Sequence, residues 1–185
     1  MLRDYQEALL SDVDDAFNEQ EGHVIAVAPC GAGKTVMMAH QAKTWSFPNA
    51  AIAHRRELVW QISAAFCEQG IYHRLIAPQT VINSVCAMHI ERFGQKFYRA
   101  DSDVGVASVD AMIKRTGDPF FAACRGWQTD EAHHLQPDNK WGRAAAMCPN
   151  ARGLGWSATP RRSDRKLLKT VFGRMVSGPT VRELI

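Results

Sequence analysis

Eight residues, "APCGAGKT" from Ala28 to Thr35, have the types and spacing to hold a chain of phosphates. Gly31 and Gly33 let the backbone curl so that successive N–H groups face one anion. Lys34 reaches the β- and γ-phosphates of a bound nucleotide. Thr35 offers Mg²⁺ a hydroxyl oxygen, the ligand type that ion prefers. Pro29, Cys30, Ala32 and Val36 complete the stretch that wraps the phosphates. The cofactors this pattern calls for are ATP and Mg²⁺. A plain glycine turn ahead of a helix is the alternative. The apolar run before the glycines, "HVIAVA", and the helix-like run after them, "KTVMMAHQAKTW", favour the phosphate loop.

Phosphoryl transfer also needs a second carboxylate at the metal and a group to direct water. "TDEAHH", Thr129 to His134, supplies both. Asp130 would hold Mg²⁺ through water, together with Thr35. Glu131 would orient or deprotonate the attacking water. Lys34, Asp130 and Glu131 are therefore the catalytic candidates. Standing alone, an Asp-Glu pair reads equally well as a solvated turn; the phosphate loop upstream favours the functional reading. His133 and His134 lack a Cys or His partner at zinc spacing, which argues against a metal site there.

Elements must bring these two stretches together. Leu2, Tyr5, Leu9, Val13 and Phe17 fall near helical spacing, which predicts an amphipathic helix over Leu2–Phe17. "HVIAVA" predicts a buried strand and "KTVMMAHQAKTW" a helix. "AAIAH" (Ala50–His54) predicts a second strand. "RELVWQISAAFCEQ" predicts a second helix closed by Gly70. "TVINSVCAMHIERF" reads as a helix, "DVGVAS" as a strand and "VDAMIKR" as a short helix. "CRGWQT" (Cys124–Thr129) must be the strand before Asp130, but Arg125, Gly126 and Gln128 make it a poor one, as at a weakened or edge position. "KWGRAAAMC" reads as a helix and "ARGLGWSA" as a strand. The basic tail, Arg161 to Ile185, is expected to be partly helical. Alternating strands and helices predict an α/β fold with a mainly parallel sheet flanked by helices. In such sheets ligands bind at the carboxyl ends of the strands, where both stretches fall.

The 185 residues suffice for one domain with a sizeable core. Hydrophobic residues make up 46% and charged residues 22%, an ordinary globular balance. A net charge of +3 permits a nucleic-acid partner without demanding one. Five scattered cysteines with no CxxC pair favour reduced thiols. No apolar run approaches a membrane span, and charged Arg3 and Asp4 stand within the first four residues. The expected setting is cytoplasmic, without a membrane partner.

"APCGAGKT", "TDEAHH" and "GWSATP" (Gly155–Pro160) occur in the order of motifs I, II and III of superfamily-two helicases. "LRDYQ" resembles the adenine-recognition element that opens many of them. "AHRREL" (Ala53–Leu58) resembles motif Ia, and "VASVDAM" (Val106–Met112) resembles motif Ib more loosely. "DEAHH", "NKWGRA" and "GPTVRELI" resemble DEAD/DEAH-type helicases of phages and prophages, near the type III restriction and repair helicases. A bacterial or phage-infected cell follows as the setting.

The resemblance implies a single RecA-like P-loop NTPase domain over residues 1–177. It implies that residues 178–185 start a link to a second RecA-like domain, which would supply an arginine finger. It implies that Gln6 reads the adenine edge. His133 would couple the nucleotide site to Ser157 and Thr159 of motif III. His54, Arg55, Arg56 and Ser108 would lie along a nucleic-acid backbone, DNA ahead of RNA. Each has a plainer alternative. Tyr5 also suits a core-facing position, Arg55 and Arg56 a solvated face, and Ser157 and Thr159 ordinary strand ends. The cluster Arg161, Arg162, Arg165, Lys166 and Lys169 suits solubility or a second phosphate track.

Overall fold

A computed structural model of the chain describes residues 2–19, 22–158 and 171–183. Seven parallel strands form one sheet: β1 (His23–Val27), β2 (Asn49–Ala53), β3 (Arg74–Ile76), β4 (Val104–Ser108), β5 (Gly126–Thr129), β6 (Arg152–Ser157) and β7 (Phe172–Ser177). Their order is β3-β4-β2-β5-β6-β1-β7. Among the described residues the helices are α1 (Asp4–Glu19), α2 (Lys34–Thr44), α3 (Arg56–Glu68), α4 (Gln79–Phe93), α5 (Val109–Met112), α6 (Pro119–Ala123) and α7 (Lys140–Ala146).

Strand side chains alternate between two cores, as the two-residue period of a strand requires. Val24 and Ala26 of β1 face a core built with α1 to α4, where Leu9, Met37, Ile62 and Val85 are buried. Ile25 faces the other core, with Phe120 and Phe121 of α6 and Trp141 of α7. With both faces covered, the central strands carry almost no solvent-facing side chain, so they read as short apolar runs.

The poor strand "CRGWQT" is not at an edge. β5 pairs with β2 on one side and β6 on the other, near the middle of the sheet. Its odd residues each have a structural reason. A Cβ on Gly126 would stand 2.6 Å from the Trp45 ring, so only glycine lets that indole pack. Gln128 is fully buried; its amide nitrogen donates to Met38 O at 3.0 Å, and its oxygen accepts from Trp156 Nε1 at 3.0 Å. That buried amide ties the helix after the phosphate loop to β5 and β6.

Residues 172–177 form β7, which pairs in parallel with β1, and helical structure beyond it is a short 3-10 turn at Val181–Glu183. β7 is an edge strand with its middle residues exposed, so it lacks the apolar run that marks the central strands. The basic cluster 161–169 lies outside the described residues.

Candidate nucleotide site

The phosphate loop runs from the end of β1 into α2. Gly31 and Gly33 have φ of 84° and 78°, the left-handed region that favours glycine. At Gly33 space is a second constraint: a Cβ would stand 2.5 Å from Gln6 Nε2. The first turn of α2 has no side-chain cap; Val36 N donates to Gly33 O at 3.0 Å, and the N–H groups of Lys34 and Thr35 before it are open to an anion. Ala28 N donates to Ser157 O at 2.9 Å, which pins the loop to the end of β6.

Lys34 folds back along the loop, donating to the carbonyls of Ala28 at 3.3 Å and Pro29 at 3.4 Å. Cys30 is exposed on the outside of the turn. Gln6 and Tyr5 brace the loop from α1. Both donate to Ala32 O, Gln6 Nε2 at 2.9 Å and the Tyr5 hydroxyl at 3.2 Å. Gln6 Oε1 also accepts from Arg3 N at 3.0 Å. Tyr5 therefore contacts the loop and is not simply a core residue.

Asp130 and Glu131 follow β5, and the field of Lys34 reaches Asp130. Burial pushes the Asp130 carboxyl above its ordinary range. The Glu131 N–H, donating to Asp130 Oδ1 at 2.9 Å, and the Lys34 ammonium both oppose that rise. Glu131 has φ of 52°, the one positive φ outside glycine among the described residues. Its Oε2 lies 3.2 Å from His133 Nδ1, within ion-pair reach but off the axis of a hydrogen bond. Ser157 ends β6, the strand between the acidic turn and the phosphate loop. Thr159 lies outside the described residues, and Thr35 and Val36 take their expected places in the first turn of α2.

These residues fit Mg·ATP. The loop offers open N–H groups, Lys34 a cation, Thr35 a hydroxyl, and Asp130 a half-buried carboxylate near Lys34.

A second group of predicted residues gathers beside the acidic turn. β2 and β4 are neighbours, with Ala53 paired to Ser108. His54 and Arg55 thus leave the sheet beside Ser108, whose hydroxyl accepts from Ala111 N and caps α5. His54, Arg55, Glu131, His133 and His134 border a common cleft of about 410 Å³. Burial, and next the Arg55 charge, hold the His54 imidazole below its usual pKa. Its ring packs 4.7 Å from that of Trp141, which lies 5.7 Å from His134. Asn139 fixes this corner: its amide donates to His134 O at 2.8 Å, and its oxygen caps α7. Trp141 and Asn139 were not singled out by role from sequence, although "NKWGRA" contains both.

A phosphate loop after β1 and an acidic pair after β5, on a seven-stranded parallel sheet, define a RecA-like ATP-binding domain of the superfamily-two helicase kind. The chain belongs to the family described as type III restriction enzyme, res subunit, which matches residues 1–162. It is 25% identical over 200 residues to the putative ATP-dependent helicase IRC3 of Saccharomyces cerevisiae, covering all of this chain and 27% of that protein. The UvsW helicase of bacteriophage T4 superposes with a TM-score of 0.68 at 15% identity, over 95% of this chain and 60% of that one. The Hef helicase domain of Pyrococcus furiosus gives 0.66 at 17% identity, over 98% and 39%. At those identities the structural likeness speaks for the fold. The chain spans about a quarter of the length of the curated relative it matches.

Proposed function

We propose that this chain is the ATP-binding part of a DEAH-type helicase or translocase that couples ATP hydrolysis to binding or movement on nucleic acid. The observation that carries the reading is the placement of Lys34 after β1 and Asp130 after β5, at the same end of the sheet with one strand between them and close enough for the Lys34 charge to act on Asp130, and a phosphate loop shaped by two left-handed glycines. The loop N–H groups and Lys34 bind and orient the phosphates. Thr35 and Asp130 hold Mg²⁺, which neutralises phosphate charge when bound. Glu131 takes a proton from water or orients it, with His133 Nδ1 beside its carboxylate. Gln6 has one N–H and one lone pair left for an adenine edge. His133 relays the state of the site toward Ser157 and Thr159. His54, Arg55, Arg56 and Ser108 meet the phosphates of a nucleic acid strand, with DNA favoured.

Residues 1–177 form the ATP-binding domain in this reading, and 178–185 begin a link to a second RecA-like domain in the same or another chain. An arginine finger from such a partner is worth about 10³–10⁵ in rate, so this chain alone turns over slowly. The family match, to a restriction subunit, equally supports a translocase that does not unwind. Its setting is a bacterial or phage-infected cytoplasm; no described helix is long and apolar enough to cross a membrane.

The test is Mg·ATP binding and turnover for wild type and Lys34→Ala, with and without single-stranded DNA and RNA. Loss of binding in Lys34→Ala, with slow turnover in wild type, is expected. Unchanged binding in Lys34→Ala overturns the phosphate-loop reading. Duplex unwinding by the 185-residue chain overturns the need for a partner domain.

A further inference from the structure

The first turns of α3 and α4 leave a groove of about 310 Å³ between them. Arg56 and Trp60 stand on the α3 side, four residues apart and so on one helix face. Thr80 and Ser84 stand opposite on α4 with the same spacing, over buried Val81 and Val85. Trp60 is half-buried, and the Arg92 guanidinium, held by Glu68 at 3.0 Å, lies 5.9 Å from its ring centre.

The charges at the mouth are uneven in use. Arg92 is paired, whereas the exposed guanidiniums of Arg55 and Arg56 make no ion pair or hydrogen bond among the described residues. Glu57 sits at the rim and disfavours a phosphate within the groove. What suits the interior is a flat, uncharged group with polar edges. It would find an indole to stack on, two hydroxyls and a carboxylate to bond to, and an apolar floor. The free guanidiniums outside suit the phosphates attached to such a group. Aromatic stacking beside a cationic track is how single strands are held without regard to sequence.

Resting on the nucleic-acid reading above, we propose that the α3/α4 groove binds one unpaired base of a DNA strand, stacked on Trp60, with its flanking phosphates on Arg55 and Arg56. The floor of Val81 and Val85 suits the methyl group of thymine, which uracil lacks. A base can enter only when unpaired, so the groove selects single strands over duplex.

The experiment measures anisotropy of labelled oligothymidylate, an abasic strand of equal length, oligouridylate and a duplex, each titrated with the whole chain across a salt series. Wild type is expected to bind oligothymidylate roughly five- to a hundredfold more tightly than the abasic strand, the range that one stacked base supplies. Trp60→Ala should bind both strands alike with an unchanged salt slope, and Trp60→Phe should recover most of the difference. Arg55→Ala with Arg56→Ala should weaken both strands equally and flatten the salt slope by about two phosphates' worth. A Trp60→Ala chain that keeps the full thymidylate preference overturns the base site while leaving the arginine track intact. No strand binding by wild type overturns the nucleic-acid reading along with it. Tighter binding of oligouridylate overturns the assignment to DNA, and duplex bound as well as single strand overturns the need for an unpaired base. If Trp60→Ala does not fold, wild type and Trp60→Phe on the thymidylate and abasic strands decide the matter.

Discussion

Glu131 Oε2 stands 3.2 Å from His133 Nδ1, and Glu131 carries that carboxylate on a left-handed backbone, φ 52°. A side chain with a Cβ pays roughly 1–2 kcal/mol for that conformation, so the turn after β5 holds strain at the residue assigned to water. Glu131→Gly should therefore be more stable than Glu131→Ala by about 1 kcal/mol, read from urea midpoints. Glu131→Gln keeps the shape and removes the base. It should bind Mg·ATP normally while single-turnover hydrolysis falls by about 10²–10⁴. An Ala variant as stable as the Gly variant would mean that the turn is unstrained.

Gln6 and Gly33 should be energetically coupled, because a Cβ on Gly33 would meet Gln6 Nε2 at 2.5 Å. Gly33→Ala suffers twice, from its φ of 78° and from that contact, which pushes Gln6 off Ala32 O. Gln6→Ala opens the space, so in the double variant the second penalty disappears. A double-mutant cycle by chemical denaturation should show a coupling of about 0.5–3 kcal/mol. Mg·ATP affinity should drop in each single variant, since both disturb the loop. Strict additivity would show that Gln6 does not brace the loop.

Gln128 bridges α2 and β6 from its place in β5. Replacing it with leucine keeps the volume but removes the bond to Met38 O of α2, a carbonyl that keeps its helical partner, and orphans the buried Trp156 indole N–H of β6. The expected loss is about 1–3 kcal/mol for the orphaned indole, seen as a lower melting temperature with unchanged secondary structure. Gly126→Ala should also destabilise the fold, because the Trp45 ring occupies the place of the new methyl group.

That same strand shows where sequence and structure part. The phosphate loop and the acidic turn were legible because their chemistry is local: a few adjacent residues dictate the backbone and the ligand. The central strands were legible as apolar runs because both sheet faces are covered. The reasons for Gly126 and Gln128 were not, since Trp45, Met38 and Trp156 reach them only through tertiary packing. β3, three residues long, is too short to show a period, and β7 lies at an edge with no apolar run. Of the site, Lys34, Asp130 and Glu131 stood out by spacing. The packing of Trp141 against His54 did not, because it joins residues far apart in sequence.

Acid should destabilise the fold through a buried histidine. Ser63, His73 and His89 are buried together between α3, α4 and the start of β3. Their neighbours fix every proton. Phe97 N donates to His89 Nδ1 at 3.3 Å, so the His89 proton sits on Nε2 and goes to Ser63 Oγ at 2.7 Å. The Ser63 hydroxyl then donates to His73 Nε2 at 2.7 Å, and His73 Nδ1 donates to Ile71 O at 2.9 Å. The chain of bonds is complete only with both rings neutral, and a further proton on either nitrogen acceptor would face a donor. Burial lowers the pKa of both rings, His73 to about 4 from 6.5. Between those values the unfolded chain binds a proton that folded His73 refuses, so stability is complete above about pH 6.5 and declines as pH falls toward 4. The loss from His73 alone should reach about 3 kcal/mol by pH 4. Urea melts of wild type and His73→Phe across that range test this. The Phe variant begins less stable at pH 7, because Ser63 loses its acceptor, but its stability should fall less steeply with acid. Parallel pH profiles for the two proteins would show that His73 is not the group responsible.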